Sequence, residues 1–210
     1  MTRPVRGPQP ARFYPIVPNS GWLARIVPLG IGTVQLRLKD ASPVESRRQI
    51  AESLALCRTH GVQLIVNDDW RAAIELGADY IHLGQEDLAA ADLAAIKTAG
   101  IKLGLSTHNE AELEVALAAK PDYIALGPIY ETKLKAMSWA PQGLEKITAW
   151  KQRIGPLPLV AIGGLTPQRA PNVVSAGAQS LAVITDFVTH PNPERRIREW
   201  VALAGNIVGL

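Results

Sequence analysis

Short apolar runs alternate along the chain with longer amphipathic stretches. The runs are Phe13–Val17, Thr33–Leu38, Leu64–Val66, Tyr80–Leu83, Lys102–Leu105, Tyr123–Leu126, Leu159–Ile162 and Ser180–Ile184. Each is too short for a buried helix and reads as a buried strand. Between them, "PVESRRQIAESLALCRTHG" and "NEAELEVALAAK" repeat apolar residues every three or four positions, the period of a helix covered on one face. Several such stretches stop at a glycine (Gly61, Gly77, Gly100, Gly177), the residue that most easily turns left-handed at a helix end. A last helix is expected from about Pro193 to Ala204.

Strands that each precede a helix predict an α/β fold, a single (β/α)8 TIM barrel over residues 11–210. Residues 1–10, rich in Pro and Arg, read as a flexible lead-in. A doubly wound open sheet is the rival, but "YPIVPNSGW" after the first strand lacks a glycine-rich dinucleotide fingerprint. No linker or shift of composition marks a second domain.

In such a barrel the chemistry gathers at the carboxyl ends of the strands. In "QLRLKD", Gln35, Arg37 and Lys39 alternate with Leu36 and Leu38. Period-two geometry then aims the polar three into the barrel mouth and the leucines at the helices. The cations there answer either a structural salt-bridge layer or a bound anion. The next two strands empty into Asn67-Asp68-Asp69 and Gly84-Gln85-Glu86-Asp87. Asp68 and Asp87 are nineteen residues apart, one strand-to-strand repeat, so their carboxylates can face a common point. Hard oxygen ligands of this kind suit Mg2+, which takes one or two carboxylates plus phosphate oxygens and water. Asp69 is the better helix cap, and His82, inside its strand, reads as a satisfied core histidine.

Further along, Ser106 in "GLSTHNEAE" can donate to a phosphate, while Asn109 with Glu112 reads as a helix cap. His108 has no evident carboxylate or serine partner in the sequence. "GPIYETKLKAMSWAPQG" is a long polar loop carrying Lys133 and Lys135, and loops of that length in compact folds are usually functional. Gly163-Gly164 and Thr185 follow the last two strands, the common phosphate position of this barrel.

Bulk properties narrow the partners. A net charge of +3 suits anionic small substrates, and 5% aromatics without a dense Lys/Arg cluster argue against nucleic acid. No apolar run reaches the length of a membrane span, and none near the start makes a signal peptide. Cys57 is the single cysteine, so a cytoplasmic, reducing setting is expected and the thiol reads as core. Oligomeric state is left open.

The blocks "QLRLKD", "VNDDW", "HLGQEDL", "LGLSTH", "YIALGPIYETKLKAM", "APQGL" and "VAIGGL" resemble, in order and spacing, those of the thiamine-phosphate synthase family, from about residue 13 to 205. The resemblance implies a Mg2+-dependent transfer that joins hydroxymethylpyrimidine pyrophosphate to hydroxyethylthiazole phosphate and releases pyrophosphate. It places Gln35, Leu36, Arg37, Leu38, Lys39, Asn67, Ser106 and Lys135 on the pyrimidine pyrophosphate. Arg37, Lys39 and Lys135 would stabilise the leaving group, and Asp68 and Asp87 would hold Mg2+. Thr132, Lys133, Leu134, Gly164, Ile184 and Thr185 would meet the thiazole phosphate. The chain differs from the family's habit at Leu134, where a threonine is usual, at Thr185, where a serine is usual, and in "IVPNS", which lacks an acid. A thiazole tautomerase of the same fold and a non-catalytic phosphate-binding protein are the alternatives.

Overall fold

The computed structural model describes residues 9–132 and 140–207. Its strands are β1 (Phe13–Val17), β2 (Thr33–Leu36), β3 (Gln63–Asn67), β4 (Tyr80–Leu83), β5 (Lys102–Thr107), β6 (Tyr123–Leu126), β7 (Leu159–Ile162) and β8 (Ser180–Val183). They pair in chain order, all parallel, and β8 returns to β1, closing the barrel. Helices α1 (Ser20–Ile26), α2 (Pro43–His60), α3 (Trp70–Glu75), α4 (Gln85–Ala90), α5 (Leu93–Thr98), α6 (Glu110–Ala118), α7 (Gly143–Ile154), α8 (Ala170–Ser175), α9 (Thr185–Val188) and α10 (Pro193–Asn206) return the chain between strands and close it after β8. None of these helices is long and apolar enough to cross a membrane.

The alternation of side chains across the strands divides the apolar residues into two layers. Phe13, Leu36, Leu64, Val66, Leu105 and Leu126 belong to the outer layer, packed under the helices. Tyr14, Ile16, Ile65, Tyr80, Tyr123, Ala125, Val160 and Ala182 fill the barrel itself. Two fully buried tryptophans fasten the helical ring to the sheet. Trp150 of α7 donates from Nε1 to Thr107 Oγ1 at 3.1 Å. Trp200 of α10 stacks on Phe13 with ring centres 5.3 Å apart and donates to Asp186 Oδ2 at 2.7 Å. Cys57 is buried on α2, where desolvation pushes its thiol up to about 12 and keeps it protonated.

Strand ends depart from the expectation in ways that matter for the mouth. β2 stops at Leu36 rather than Leu38, its last pairing being with Val66. Arg37 still donates its backbone N–H to Val17 O at 2.9 Å, but Asp40 turns left-handed (φ 57°) toward α2. β5 runs two residues further, through Thr107, because Ser106 and Thr107 pair with Ala125 and Leu126. β8 ends at Val183, leaving Ile184 as the residue before α9. The expected lead-in lies mostly outside the described residues. Its last residue, Pro10, is buried and accepts a hydrogen bond from Ser180 Oγ at 2.7 Å.

One glycine decides how the barrel fills. Gly104 lies in register between His82 on β4 and Tyr123 on β6. A Cβ built there would sit 1.9 Å from the Tyr123 ring, so the bare backbone of β5 is the space this ring occupies. Across that gap the His82 and Tyr123 rings stack, with centres 5.6 Å apart and planes 16° apart. Gly104→Ala is therefore expected to expel the Tyr123 ring and destabilise the fold by roughly 1–3 kcal/mol, the range for overpacking a core. Urea unfolding of the two proteins checks this.

Candidate active site

Five polar side chains run in one hydrogen-bonded chain through the barrel interior. Gln35 Nε2 donates to the Tyr14 hydroxyl at 2.7 Å. Tyr14 and Tyr123 hydroxyls lie 3.0 Å apart, and Tyr123 OH is 2.9 Å from His82 Nδ1. His82 Nε2 is 2.8 Å from Ser106 Oγ. Gln35 is only 2% exposed and His82 7%, so these bonds replace water for groups that could not be buried alone. Burial first, and then the positive charge of Arg37, pushes His82 down to about 4, so the ring is neutral. The reading of His82 as a satisfied core histidine holds, since both ring nitrogens are engaged.

At the mouth the two strand-end acids meet. Asp68 and Asp87 are hydrogen-bonded through their side chains, and the Gly84 backbone N–H also reaches the Asp68 carboxylate. Burial, the Asp87 charge and that shared hydrogen bond push Asp68 up to about 6, with Arg37 and Gly84 opposing. Local backbone sets this up. Asp68 is left-handed (φ 63°) and donates its N–H to His82 O at 3.0 Å, while Asn67 Nδ2 donates to its carboxylate. Asp69 turns away and caps α3 by accepting from Ala72 N at 3.0 Å, as expected of it. Asp87 stands in the first turn of α4, directly after Gly84 caps it.

Two carboxylates held against each other are repulsive once both are ionised, and a cation between them removes the repulsion. Among the described residues no group of three or more His, Cys, Asp and Glu converges on one point. The donor set is two carboxylates, both hard oxygen ligands. That fits Mg2+ better than Zn2+, the remaining positions falling to water and phosphate oxygens.

The alternation expected of "QLRLKD" holds through Leu38. Gln35 points into the barrel, Leu36 and Leu38 pack in the outer layer, and Arg37 acts on both Asp68 and His82. Lys39 is exposed and, like Arg37 and Leu38, lies beyond the end of β2.

On the other side of the mouth, Gly164 follows β7, and Ile184 and Thr185 follow the adjacent β8. Ile184 packs against the interior cluster, and Thr185 begins α9. Gly164 has φ 64°, and a Cβ there would lie 2.5 Å from Glu131 O, so the β6 loop rests on its bare backbone. Ile129 N–H to Ile162 O (2.9 Å) and Tyr130 N–H to Gly163 O (3.1 Å) fasten the outgoing limb of that loop. Gln142 N–H to Pro128 O (2.7 Å) and Gly143 N–H to Ile129 O (3.1 Å) fasten its return. Arg169 crosses the base, donating to Gly164 O at 2.6 Å with its guanidinium 4.3 Å over the Tyr130 ring. Thr132 is half-buried at the start of the excursion, whereas Lys133, Leu134 and Lys135 lie outside the described residues.

Sequence reasoning missed Tyr14 and Tyr123 as members of the interior chain. Their signal was the period-two position: Tyr14 alternates with outward Phe13, and Tyr123 faces Gly104. It also left His108 without a partner, which is corrected here. Glu112 Oε2 lies 2.7 Å from His108 Nδ1 and accepts the His108 backbone N–H at 2.8 Å. The pair belongs to the α6 cap, where Asn109 accepts from Glu112 N at 2.9 Å as anticipated.

Comparisons with known proteins agree with this geometry. The family model described as thiamine monophosphate synthase matches residues 16–187. A thiamine-phosphate synthase of Rhizobium etli is 57% identical over 190 residues, covering 90% of this chain and 93% of that protein. One from Neisseria meningitidis serogroup A is 46% identical over 194 residues, covering 92% and 95%. In fold, the chain is similar to the thiamine phosphate pyrophosphorylase structure from Pyrococcus furiosus, with a TM-score of 0.82, 23% identity, and coverage of 94% of this chain and 97% of that one. On the strength of the family model and these close relatives, the chain belongs to the thiamine monophosphate synthase family.

Proposed function

We propose that this chain joins hydroxymethylpyrimidine pyrophosphate to hydroxyethylthiazole phosphate, giving thiamine phosphate and pyrophosphate, and that it requires Mg2+ to do so. The observation that carries the reading is the Asp68–Asp87 carboxylate contact beside Arg37, at the mouth of a barrel whose relatives are named thiamine-phosphate synthases. Those names favour the synthase over a tautomerase or a silent binding protein.

In the reaction the bond from the pyrimidine's methylene carbon to the pyrophosphate oxygen breaks, and that oxygen keeps the electron pair. The thiazole nitrogen then gives its lone pair to the methylene carbon. No proton has to be removed for this bond to form, so the site needs no nucleophile–base pair. Its task is to gather the negative charge that grows on the leaving group. Arg37, whose charge acts on Asp68, would do this, and by family resemblance Lys39 and Lys135 would join it. Asp68 and Asp87 would hold Mg2+, which when bound would neutralise charge on the pyrophosphate, and Asn67 would meet the pyrimidine pyrophosphate. Gln35 and Ser106 would hold the pyrimidine. Gly164, Ile184, Thr185 and the loop from Thr132 through Lys133 and Leu134 would meet the thiazole phosphate. A cytoplasmic setting fits a protein whose one cysteine is buried and free.

A coupling assay with both substrates, with and without Mg2+, tests the reading. Product formed only when Mg2+ is present is the expected result, and no product under any condition overturns it. Asp87→Asn is expected to lower turnover by about 10²-fold or more while the protein stays folded, as loss of a metal ligand typically does. Wild-type turnover in that variant at sub-millimolar Mg2+ would remove Asp87 from the metal site.

The metal has a pH signature separate from turnover. Without metal, folded Asp68 keeps its proton up to about pH 6 while the unfolded chain loses it near the ordinary value of 3.8. Stability therefore falls as pH rises through that window. Binding of Mg2+ must displace the proton, so its stabilising effect grows over the same window. Thermal unfolding is expected to show a Mg2+-induced rise in Tm at pH 7.5 that shrinks below about pH 6 and is absent in Asp87→Asn.

A further inference from the structure

Asp186 directly follows Thr185, the residue that the reading above gives to the thiazole phosphate. A carboxylate beside a phosphate is a like charge where the opposite one is wanted. The fold answers it from α10, a separate element. The Asp186 side chain is only 9% exposed. Arg196 donates from Nη2 to Asp186 Oδ1 at 3.1 Å and brings Nε to 2.9 Å from Oδ2. Trp200 donates from Nε1 to the same Oδ2 at 2.7 Å. Both carboxylate oxygens thus face donors of α10.

Packing holds this arrangement from both sides. Trp200 is fully buried on Phe13 of β1, and Phe187, the next residue of α9, is buried edge-on against Trp22 of α1. Arg196, with its side chain 18% exposed, also reaches Glu199 Oε2 at 2.9 Å, and Glu199 in turn meets Arg195 Nε at 3.1 Å. Acid and base therefore alternate through Asp186, Arg196, Glu199 and Arg195, and the four charges cancel. The Asp186–Arg196 pair has little water around it, so its two charges act on each other more strongly than a surface pair would. Taking away the cation alone would leave Asp186 as an uncompensated charge.

We propose that Arg196 is a positioning residue for the thiazole phosphate, acting through Asp186: it cancels the carboxylate that would otherwise repel the phosphate at Thr185. The inference rests on the reading above, in which Thr185 meets that phosphate. Arg196 need not touch the substrate to do this. Its effect is confined to the β8 side of the mouth, because the pyrimidine pyrophosphate is given to residues of β2, β3 and β5 and to the β6 loop. Charge, and not packing, then sets the sign of every effect on binding.

The test is steady-state coupling with both substrates in wild type, Arg196→Gln, Asp186→Asn and the double variant. Arg196→Gln unmasks the acid, so KM for the thiazole phosphate is expected to rise about tenfold while KM for the pyrimidine pyrophosphate stays within about twofold. Asp186→Asn removes the acid and leaves its cation, so the thiazole KM is expected to fall, by about threefold. The double variant restores the balance, with two amides that can bond in place of the ions, and its thiazole KM is expected within about threefold of wild type. A purely structural role predicts a different pattern, in which both single variants raise KM and the double variant is no better. That pattern overturns the proposal, as does an unmoved thiazole KM in Arg196→Gln. Should Arg196→Gln fail to fold, Asp186→Asn decides alone, and anything but a fall in its thiazole KM overturns the proposal. A wild type that makes no thiamine phosphate overturns the functional reading and this inference with it, whereas an active wild type whose single variants shift KM the same way overturns the role of Arg196 alone.

Discussion

A hydroxyl, amide or imidazole sealed inside a barrel must find its partner there, because leaving one unpaired costs on the order of 1–3 kcal/mol. Tyr14, Gln35, His82 and Tyr123 are all buried in the interior of this barrel, and each solves the problem through another. Much else follows from that arrangement. Gly104 has no side chain because the Tyr123 ring lies over it. The neighbouring interior positions Ala125 and Ala182 are small, which leaves room for two tyrosines in the same layer. Gln35 and Ser106 are the two ends of this hydrogen-bonded chain.

Above this neutral layer the mouth is organised by charge. Arg37 lies close enough to lower both His82 and Asp68, while Asp87 raises Asp68. The cation proposed to receive a pyrophosphate and the acid pair proposed to hold a divalent ion are thus set side by side. Neither is comfortable alone, since two carboxylates repel and a half-buried guanidinium favours an anion beside it. The neutral state of His82 keeps a second positive charge out of the interior, so the attraction for an anion stays at the rim where Arg37 is. In the proposed reading, binding a metal and a pyrophosphate would relieve both strains in one event and so couple the two ligands.

The strand-and-helix rhythm was legible in the sequence because it depends on local periodicity, and so was the closed barrel it implied. Asp69 and Asn109 were legible as caps for the same reason, a polar residue just before a helix. The ends of strands were less so. Leu36 looked no different from Leu38, and only pairing with Val66 on a neighbouring strand decides where β2 stops. His108 found Glu112, a contact four residues away that caps are built from but that no spacing demands. The interior hydrogen-bonded chain was invisible for a stronger reason. Its members come from β1, β2, β4, β5 and β6, up to 109 residues apart, and only barrel closure brings them together.

Everything proposed for the mouth turns on Asp68 and Asp87 sharing one cation site beside Arg37. Titration calorimetry of pyrophosphate into the protein, with and without Mg2+, tests this most directly. The expected result is tighter pyrophosphate binding when Mg2+ is present, a gain that is lost in Asp87→Asn. Equal affinity with and without Mg2+ in the wild type would contradict the shared site.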